Sequence, residues 1–304
     1  MSSDECALHP LNQSCFFKLK SKKRLASILF SSVQNLERLR NADPLYSSWH
    51  ERKKSGGLRL IEAPFDQLKE KQKRIAELLQ RIEPPDYLMA PVKKRSYVTN
   101  AACHIGSRAF CLLDIEDFFP SCTAKRVYWF FHKKMQCAPD VAAILTGIVT
   151  KDSRLPQGSP CSPILAYFAY VDMWEEISEI ALRSRCRLSI YADDITISGF
   201  NVYERDIWEV KKVLRKYGHS FSTKKQRHLI DRPVEITGVI VSKVGLCLPN
   251  RQHRKIVETR TLRANARSKP YIEQLDRQLR GRLAQAKQVL NHKSQFTAPP
   301  SPDS

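Results

Sequence analysis

The stretch LSIYADDITIS at residues 188–198 decides the fold, because apolar and polar residues alternate on both sides of two adjacent aspartates. An alternation with a period of two is typical of β-strands, so it predicts a β-hairpin whose tip is Ala192-Asp193-Asp194. An isolated Asp-Asp pair usually marks a simple turn. The tyrosine before this pair and the strand-like flanks favour a functional site at the tip.

A third aspartate follows a second strand-like segment. Residues 109–113 form a short apolar run that predicts a buried strand, and Asp114 stands at its carboxyl end. Three carboxylates on adjacent strands repel one another unless cations lie between them. Two Mg²⁺ ions about 3.5–4 Å apart would neutralise the cluster, and Mn²⁺ would accept the same oxygen ligands. The pattern therefore indicates phosphoryl transfer, which depends on positioning and charge stabilisation.

The charge distribution points to a polyanionic partner. The chain has 304 residues, of which 42% are hydrophobic and 27% charged, so a wholly disordered or collagen-like protein is excluded. The net charge is +20: residues 18–95 contain 19 basic and 9 acidic residues, and residues 243–293 contain 13 and 3. Residues 96–242 contain 19 and 16 and are nearly neutral. Two basic arms favour the phosphates of a nucleic acid over a membrane surface.

The sequence carries no targeting or metal-finger pattern. Residues 1–5 lack the basic and apolar pattern of a signal peptide, and no apolar run approaches the roughly 18 residues of a membrane span. We therefore expect no membrane association and a cytoplasmic location. The nine cysteines contain no C-x-x-C pair, so structural zinc and a disulfide framework are not expected.

Helical and strand-like segments alternate along the rest of the chain. Residues 53–61 predict a charged hairpin around Gly56-Gly57, and residues 235–248 alternate as strands. The arm before Cys15 and the tail from residue 297 are expected to be disordered. Helices are predicted at residues 66–82, 124–135, 163–182 and 204–217 and within residues 251–290.

Several motifs resemble those of reverse transcriptases. LDIEDFFPS at 113–121, LPQGSPCSP at 155–163 and YADD at 191–194 resemble motifs A, B and C, in that order, and KKSGGLRLIEAP at 53–64 is similar to the fingers hairpin of the bacterial enzymes. The stretch NAACH at 100–104 matches an N-A-x-x-H signature. Ile236-Thr237-Gly238 stands where retron enzymes usually carry V-T-G, and Cys161 stands where threonine is common. Residues 45–290 thus resemble a retron-type reverse transcriptase.

The resemblance implies a right-hand polymerase, an α/β fold (α+β palm) with fingers, palm and helical thumb. Residues 1–110 would then form an N-terminal arm and fingers interwoven with part of the palm. Residues 111–242 would form the palm with the catalytic motifs, and residues 243–293 the palm end and the basic thumb. Residues 294–304 are expected to be a disordered tail.

The resemblance also assigns chemistry to particular residues. Asp114, Asp193 and Asp194 match the metal-binding catalytic carboxylates, and the backbone carbonyl of Ile115 matches a further metal ligand. Lys225 matches a lysine that protonates the pyrophosphate leaving group. Lys224, its neighbour, stays open as the alternative.

Further positions are expected to contact the incoming nucleotide. Phe119 matches a gate that excludes a 2′-hydroxyl by volume, and strand alternation would turn Phe118 to the opposite face. Gly158 matches a position where glycine permits close backbone approach. Arg59 and one of two lysines match positions that clamp the triphosphate. The predicted nucleotide-binding residues are Lys53, Lys54, Arg59, Ile115, Phe119, Gln157 and Gly158.

Recognition of the enzyme's own structured RNA is linked, in this family, to the N-A-x-x-H and V-T-G regions. The resemblance therefore implies that these regions shape an RNA-contacting surface and perform no chemistry. Basic helices in the thumb would add further contacts to the RNA backbone. The predicted RNA-binding residues are Asn100, His104, Thr237, Gly238, Arg263 and Arg267.

The implied function is RNA-templated DNA synthesis from deoxynucleoside triphosphates. By the resemblance, a 2′-hydroxyl of a cognate structured noncoding RNA primes synthesis, which gives a branched RNA–DNA product (msDNA), and an effector protein joins the enzyme in defence against phage. An intron-encoded enzyme, an unclustered defence enzyme and an inactive RNA-binding scaffold are the alternatives. A scaffold would not require three mutually repelling carboxylates. The sequence does not set the oligomeric state.

Overall fold

A computed structural model of the chain describes residues 7–41, 45–53 and 56–292. Lys54 and the predicted tail at residues 294–304 lie outside the described residues. Within those described ranges, none of the helices combines the length and the apolar composition that crossing a bilayer requires.

The N-terminal part is built of short helices and one β-hairpin. The hairpin turns at Gly56 and Gly57, whose φ angles of +86° and +79° suit glycine, so the predicted charged hairpin is confirmed. Residues 7–14 were expected to be disordered. Instead they lie against the segment that follows α3, where the amide of His9 donates a hydrogen bond to the carbonyl of Arg81 at 3.0 Å. The elements are α1 (Lys22–Ile28), α2 (Val33–Asn41), β1 (Tyr46–Arg52), β2 (Leu58–Pro64) and α3 (Asp66–Leu79).

A five-stranded sheet forms the middle of the molecule, in the order β3-β5-β6-β4-β7. β3 runs parallel to β5, and the other neighbours are antiparallel. The strands and the helices between them are β3 (Leu88–Ala90), α4 (Tyr97–Ala102), β4 (Ala109–Asp114), α5 (Phe118–Ser121), α6 (Ala124–Trp129), α7 (Pro139–Val149), α8 (Ser162–Phe168), α9 (Val171–Arg183), β5 (Arg187–Tyr191), β6 (Asp194–Gly199), α10 (Glu204–Lys216) and β7 (Arg227–Ile230).

Both faces of the sheet are covered, and β4 shows how. Its residues Ala109, Cys111 and Leu113 belong to the larger apolar core, which also holds most of the helices, including the fully buried Trp174. Phe110 points the other way, into a smaller core with the C-terminal elements. A strand that is buried on both faces reads as a continuous apolar run, which is the pattern of residues 109–113.

The single helix predicted at residues 163–182 is wrong, because the chain breaks between α8 and α9. The guanidinium of Arg126 donates through Nε to the carbonyl of Ala169 at 2.9 Å and also pairs with Asp172. Tyr170 takes a non-helical conformation at the break, and its hydroxyl donates to Ser121. Because these contacts come from a distant segment, apolar periodicity cannot reveal them.

The C-terminal part combines a small sheet with a helical hairpin. The sheet has the order β10-β9-β8 and consists of β8 (Val234–Ile236), β9 (Val239–Val241) and β10 (Leu246–Cys247). It is followed by α11 (Asn250–Asn265) and α12 (Lys269–Leu290), which confirms the helices predicted there. Val289 of α12 is buried in the smaller core with these strands. The C-terminal end of α12 is thus packed against the small sheet.

Candidate active site

The three predicted aspartates meet at one end of the central sheet. Asp114, the last residue of β4, is the direct antiparallel partner of Asp194, the first residue of β6. The amide of Ile115 donates to the carbonyl of Asp193 at 3.0 Å, so the two chain turns are tied together beside the carboxylates. Ala192 has a φ of +57° in the two-residue turn. A non-glycine residue in this region is strained, and such strain clusters at active sites.

The site carries uncompensated negative charge. Partial burial, together with the charges of Asp193 and Asp114, raises the pKa of Asp194 to about 7. The pKa of Asp193 is also raised, first by burial and then by Asp114. Carboxyl groups with raised pKa values at one site attract a cation.

Lys225 supplies one positive charge. Its ammonium donates to Oδ1 of Asp114, and this hydrogen bond raises the pKa of Lys225. The loop that carries it is aligned by the backbone, since Glu116 donates to Ser220 and Ser222 donates to Asp114, both at 2.9 Å. Of the two lysines that the sequence left open, Lys225 is the one that donates a hydrogen bond to Asp114.

The carboxylate oxygens of the three aspartates suit a divalent cation, although Oδ1 of Asp114 already accepts a hydrogen bond from Lys225. Carboxylate and carbonyl oxygens are the ligands that Mg²⁺ and Mn²⁺ prefer. Across the described ranges, no three Asp, Glu, His or Cys side chains stand in an arrangement that could hold a metal ion. Binding of a cation by Asp114, Asp193 and Asp194 would therefore require these side chains to reorient, and the cation would share Asp114 with Lys225 or displace its ammonium.

Phe118 and Phe119 differ in exposure, as expected, but for another reason. They lie in the short helix α5, so the explanation by strand alternation is wrong. Successive helical side chains point about 100° apart, which lets one ring enter the core while the next stays near the surface. Phe118 packs edge-on against Trp174, whereas Phe119 is partly exposed. Phe119, five residues after Asp114, is thus the more accessible of the two rings.

Gln157 and Gly158 are held against the N-terminal hairpin. The amide of Glu62 in β2 donates to the carbonyl of Gln157 at 2.6 Å. Gly158 has a φ of +129°, and a Cβ atom there would lie 2.8 Å from the carbonyl oxygen of Glu62. The close approach that requires glycine is therefore to the protein's own strand, in addition to any approach by a nucleotide.

A buried ion-pair group, which the sequence analysis missed, fixes the same junction. The carboxylate of Glu62 is 1% exposed and contacts Lys151 and Arg154, each at 2.6 Å. Burial acts to raise the pKa of Glu62, but the hydrogen bonds and charges of Arg154 and Lys151 outweigh it, so this pKa lies below its usual value. The signal in the sequence was a glutamate at an inward position of an amphipathic strand. Such a residue needs a partner.

The hairpin's cations lie on its exposed part. Arg59 pairs with Glu51 across the two strands at 2.7 Å. Lys53 pairs with Asp117, three residues after Asp114, at 3.1 Å. The ion pair between Lys53 and Asp117 links the end of β1 to the segment that follows Asp114. A bound triphosphate would have to replace both carboxylate partners.

Asn100 and His104 do not lie on a surface, which corrects the expectation of direct RNA contact. His104 is fully buried between two hydroxyls, with Nδ1 2.6 Å from Ser198 and Nε2 2.7 Å from Ser189. Burial lowers its pKa to about 3, so the ring is neutral. Asn100 is 1% exposed. These two side chains form hydrogen bonds inside the protein and are not accessible to a ligand.

The other predicted RNA-binding residues are accessible. Thr237 and Gly238 form the turn between β8 and β9 and are partly exposed. Arg263 pairs with Asp276 at 2.9 Å across the helical hairpin, and Arg267 lies exposed between α11 and α12. The Thr237-Gly238 turn lines the same cavity as Asp114 and Asp194.

Comparisons with known proteins agree with this geometry. Residues 51–241 match the family model described as reverse transcriptase (RNA-dependent DNA polymerase). The retron Se72 reverse transcriptase of Salmonella heidelberg is 37% identical over 146 residues, which cover 46% of this chain and 37% of that protein. The retron Mx65 reverse transcriptase of Myxococcus xanthus is 30% identical over 214 residues, 62% of this chain and 49% of that protein. The chain thus spans about half or less of the length of these two relatives.

The structure also has a distant neighbour. It is similar to telomerase from Candida albicans, solved with a fragment of telomeric RNA, with a TM-score of 0.52 over 84% of this chain and 55% of that one. The sequences are 12% identical, so this likeness shows the fold alone.

Proposed function

Because the chain belongs to the reverse transcriptase family, we propose that it is the RNA-directed DNA polymerase of a retron. It copies a cognate structured noncoding RNA in the cytoplasm and, starting from a 2′-hydroxyl of that RNA, makes branched RNA–DNA. The observation that carries the proposal is the direct pairing of Asp114 with Asp194, with Asp193 at the adjoining turn. The similarity to two retron reverse transcriptases supports the retron type.

The roles of the side chains follow from their places in the site. Two divalent ions held by Asp114, Asp193 and Asp194, with the carbonyl of Ile115, would neutralise the triphosphate and lower the pKa of the attacking hydroxyl. Lys225 keeps a proton on Nζ, because Asp114 raises its pKa, and can give it to the departing pyrophosphate. Arg59 and Lys53 bind phosphate oxygens in place of their present carboxylate partners.

Primer extension on an RNA template tests this function. The purified chain, an RNA template with an annealed primer, the four deoxynucleoside triphosphates and Mg²⁺ are expected to give DNA of template length. The same reaction with Mn²⁺ would show which ion the site accepts. RNA binding without extension under either ion would favour the inactive scaffold over the polymerase.

Replacing the proposed sugar gate should relax sugar selection. In Phe119→Ala the ring that excludes a 2′-hydroxyl is lost, so the preference for deoxyribonucleotides in kcat/KM should fall by roughly 100-fold. Single-nucleotide extension with dCTP and CTP measures it. Phe119→Tyr keeps the ring and serves as the control, and an unchanged preference in the alanine variant would remove Phe119 from this role.

The basic arms should make template binding strongly dependent on salt. A template held by about six phosphate contacts would lose affinity with a log–log slope near −4 in NaCl, because binding releases counterions. Fluorescence anisotropy at increasing NaCl concentration measures the slope, and Arg267→Ala should reduce it by about 0.7 if this side chain touches a single-stranded phosphate. A flat profile would mean that the net charge of +20 serves another partner.

The wider biology belongs to the same proposal. Retron enzymes act with an effector protein in defence against phage, and we infer the same arrangement here from the family resemblance. Deleting the chain from its native host should then raise the plating efficiency of at least one phage. Restoring the wild-type chain, but not Asp193→Asn, should reverse the effect.

A further inference from the structure

The carboxylate ends of β4 and β6 and the turn that joins β8 to β9 face one cavity at the end of the central sheet. The cavity has a volume of about 260 Å³ and lies between the carboxylates of β4 and β6 on one side and the turn joining β8 to β9 on the other. Its lining includes Asp114, Asp194, Lys225, Thr237 and Gly238. The end of a nucleic-acid strand that enters this cavity to reach the carboxylates therefore passes the Thr237-Gly238 turn. The turn thus lies across the cavity from the carboxylates of β4 and β6.

The turn has a sequence that does not favour its conformation. Thr237 has a φ of +45° and Gly238 a φ of +87°, so both central residues of this two-residue hairpin are left-handed. Asn-Gly and Asp-Gly are the sequences that favour such a turn. A β-branched residue in the left-handed region is a true outlier. Contacts from outside the hairpin must therefore hold Thr237 in place.

Those contacts come from α4. Oγ1 of Thr237 donates to the carbonyl of Tyr97 at 3.0 Å and accepts from Nδ2 of Asn100 at 3.2 Å. The helix is itself fixed by a capping box, in which Ser96 and Thr99 each bond the backbone of the other. The hydroxyl that distinguishes threonine from valine is thus used twice, both times by one short helix.

The other end of the same segment is tied to the catalytic strands. His104 follows α4 and bonds Ser189 of β5 and Ser198 of β6 through its two ring nitrogens. β5 and β6 are the strands joined by the turn that carries Asp193. α4 also packs against β8 and β9. Residues 97–104 therefore connect the turn that faces the cavity with the two strands whose joining turn carries Asp193.

Stability alone does not explain a buried asparagine at this position. Asn100 is 1% exposed, and within the described ranges its Oδ1 has no hydrogen-bond partner. A buried amide that is only half satisfied costs free energy, and an apolar side chain would pack there without that cost. The part of the amide that is used, Nδ2, points at Thr237.

We propose that Asn100 is a positioning residue, which holds Thr237 left-handed and so keeps the Thr237-Gly238 turn at a fixed place opposite the catalytic carboxylates. The group it positions is the nucleic-acid strand end that supplies the attacking hydroxyl. The N-A-x-x-H signature then acts through the protein interior, with Asn100 on the turn and His104 on the catalytic strands. This inference rests on the proposed polymerase function.

The test is Asn100→Ala in extension assays with an annealed RNA template and primer. We expect KM for the primer–template to rise roughly tenfold, the effect of losing about one buried hydrogen bond, with KM for deoxynucleotides unchanged. Thr237→Asn, which creates a sequence suited to the turn, should restore KM in the Asn100→Ala background. Thr146→Val, which removes a buried hydroxyl bond to Ala142 in α7, is the control for loss of stability alone.

The dissociation constant for the same primer–template, measured by anisotropy without divalent ions, should rise in parallel with KM. If Asn100→Ala does not fold, Thr237→Val removes the bond to Asn100 from the turn side, together with the bond to Tyr97, and should give at least the same rise. The inference is overturned if wild type extends the primer but neither variant changes KM or the dissociation constant, or if Thr237→Asn rescues nothing. A wild-type chain that binds but never extends would contradict the polymerase proposal, and the binding comparison would still decide the role of Asn100.

Discussion

Asp193→Asn is expected to abolish DNA synthesis on an RNA template, with a fall in rate of about 10³-fold or more, because one charged ligand of the proposed metal site is removed. Asparagine has nearly the same shape but cannot supply the negative charge that neutralises a divalent cation. Single-turnover primer extension measures the loss. Asp231→Asn is the matched control, since Asp231 lies next to β7 at the opposite end of β4 and pairs with Arg108 and Lys243, each at 2.8 Å.

Asp193→Asn should not lower the stability of the fold. Burial and the charge of Asp114 raise the pKa of Asp193, so its ionised form is less favourable in the folded chain than in the unfolded one. Removing that charge is expected to leave the melting temperature unchanged or higher in the presence of EDTA. Activity lost together with a clear drop in melting temperature would instead indicate a structural role for Asp193.

Glu62→Gln is expected to lower the free energy of unfolding by about 3 kcal/mol, the lower end of the range for breaking a buried ion pair. The substitution leaves Lys151 and Arg154 without their shared carboxylate at the junction of β2 with the loop before α8. Both cations are about a quarter exposed, so water compensates in part. Urea unfolding measures the change. Glu51→Gln on the same hairpin, where the carboxylate pairs with Arg59 in the open, should change stability little.

The effect of Glu62→Gln should depend on pH. The folded pKa of Glu62 lies below its usual value, so its ion pairs stabilise the fold above the unfolded pKa of about 4.3 and lose this contribution as the pH falls through the folded pKa. The difference in melting temperature between wild type and variant should therefore be largest near neutral pH and shrink below about pH 4. A difference that stays constant with pH would mean that packing, not charge, holds this junction.

Local sequence patterns predicted the parts of the fold that local physics controls. The alternation around Asp193 and Asp194 gave the hairpin, the apolar run before Asp114 gave the buried strand, and the fold class is that of the reverse transcriptase family. These features depend on neighbouring residues and on motifs of contiguous sequence. The hydrogen bond from Lys225 to Asp114 was not predicted, and the role of Lys225 as a proton donor stays a prediction.

Several of the errors involve contacts between distant segments. Arg126 ends α8 from 43 residues away in sequence, and Glu62 meets Arg154 from 92 residues away. The family resemblance implied that Asn100 and His104 shape an RNA-contacting surface, but both side chains are buried. Their partners, Thr237 and Ser198, are brought to them only by the tertiary fold. A pattern within one segment carries no information about such pairings.

The nucleic acid that copurifies with the chain tests the proposed activity most directly. The protein is purified from cells that carry its native locus, and the bound nucleic acid is extracted and treated separately with RNase and DNase. We expect DNA joined through a 2′–5′ branch to an RNase-sensitive fragment, and no such DNA with Asp193→Asn. RNA without any DNA, or unbranched DNA that persists in the variant, would contradict the retron polymerase that we propose.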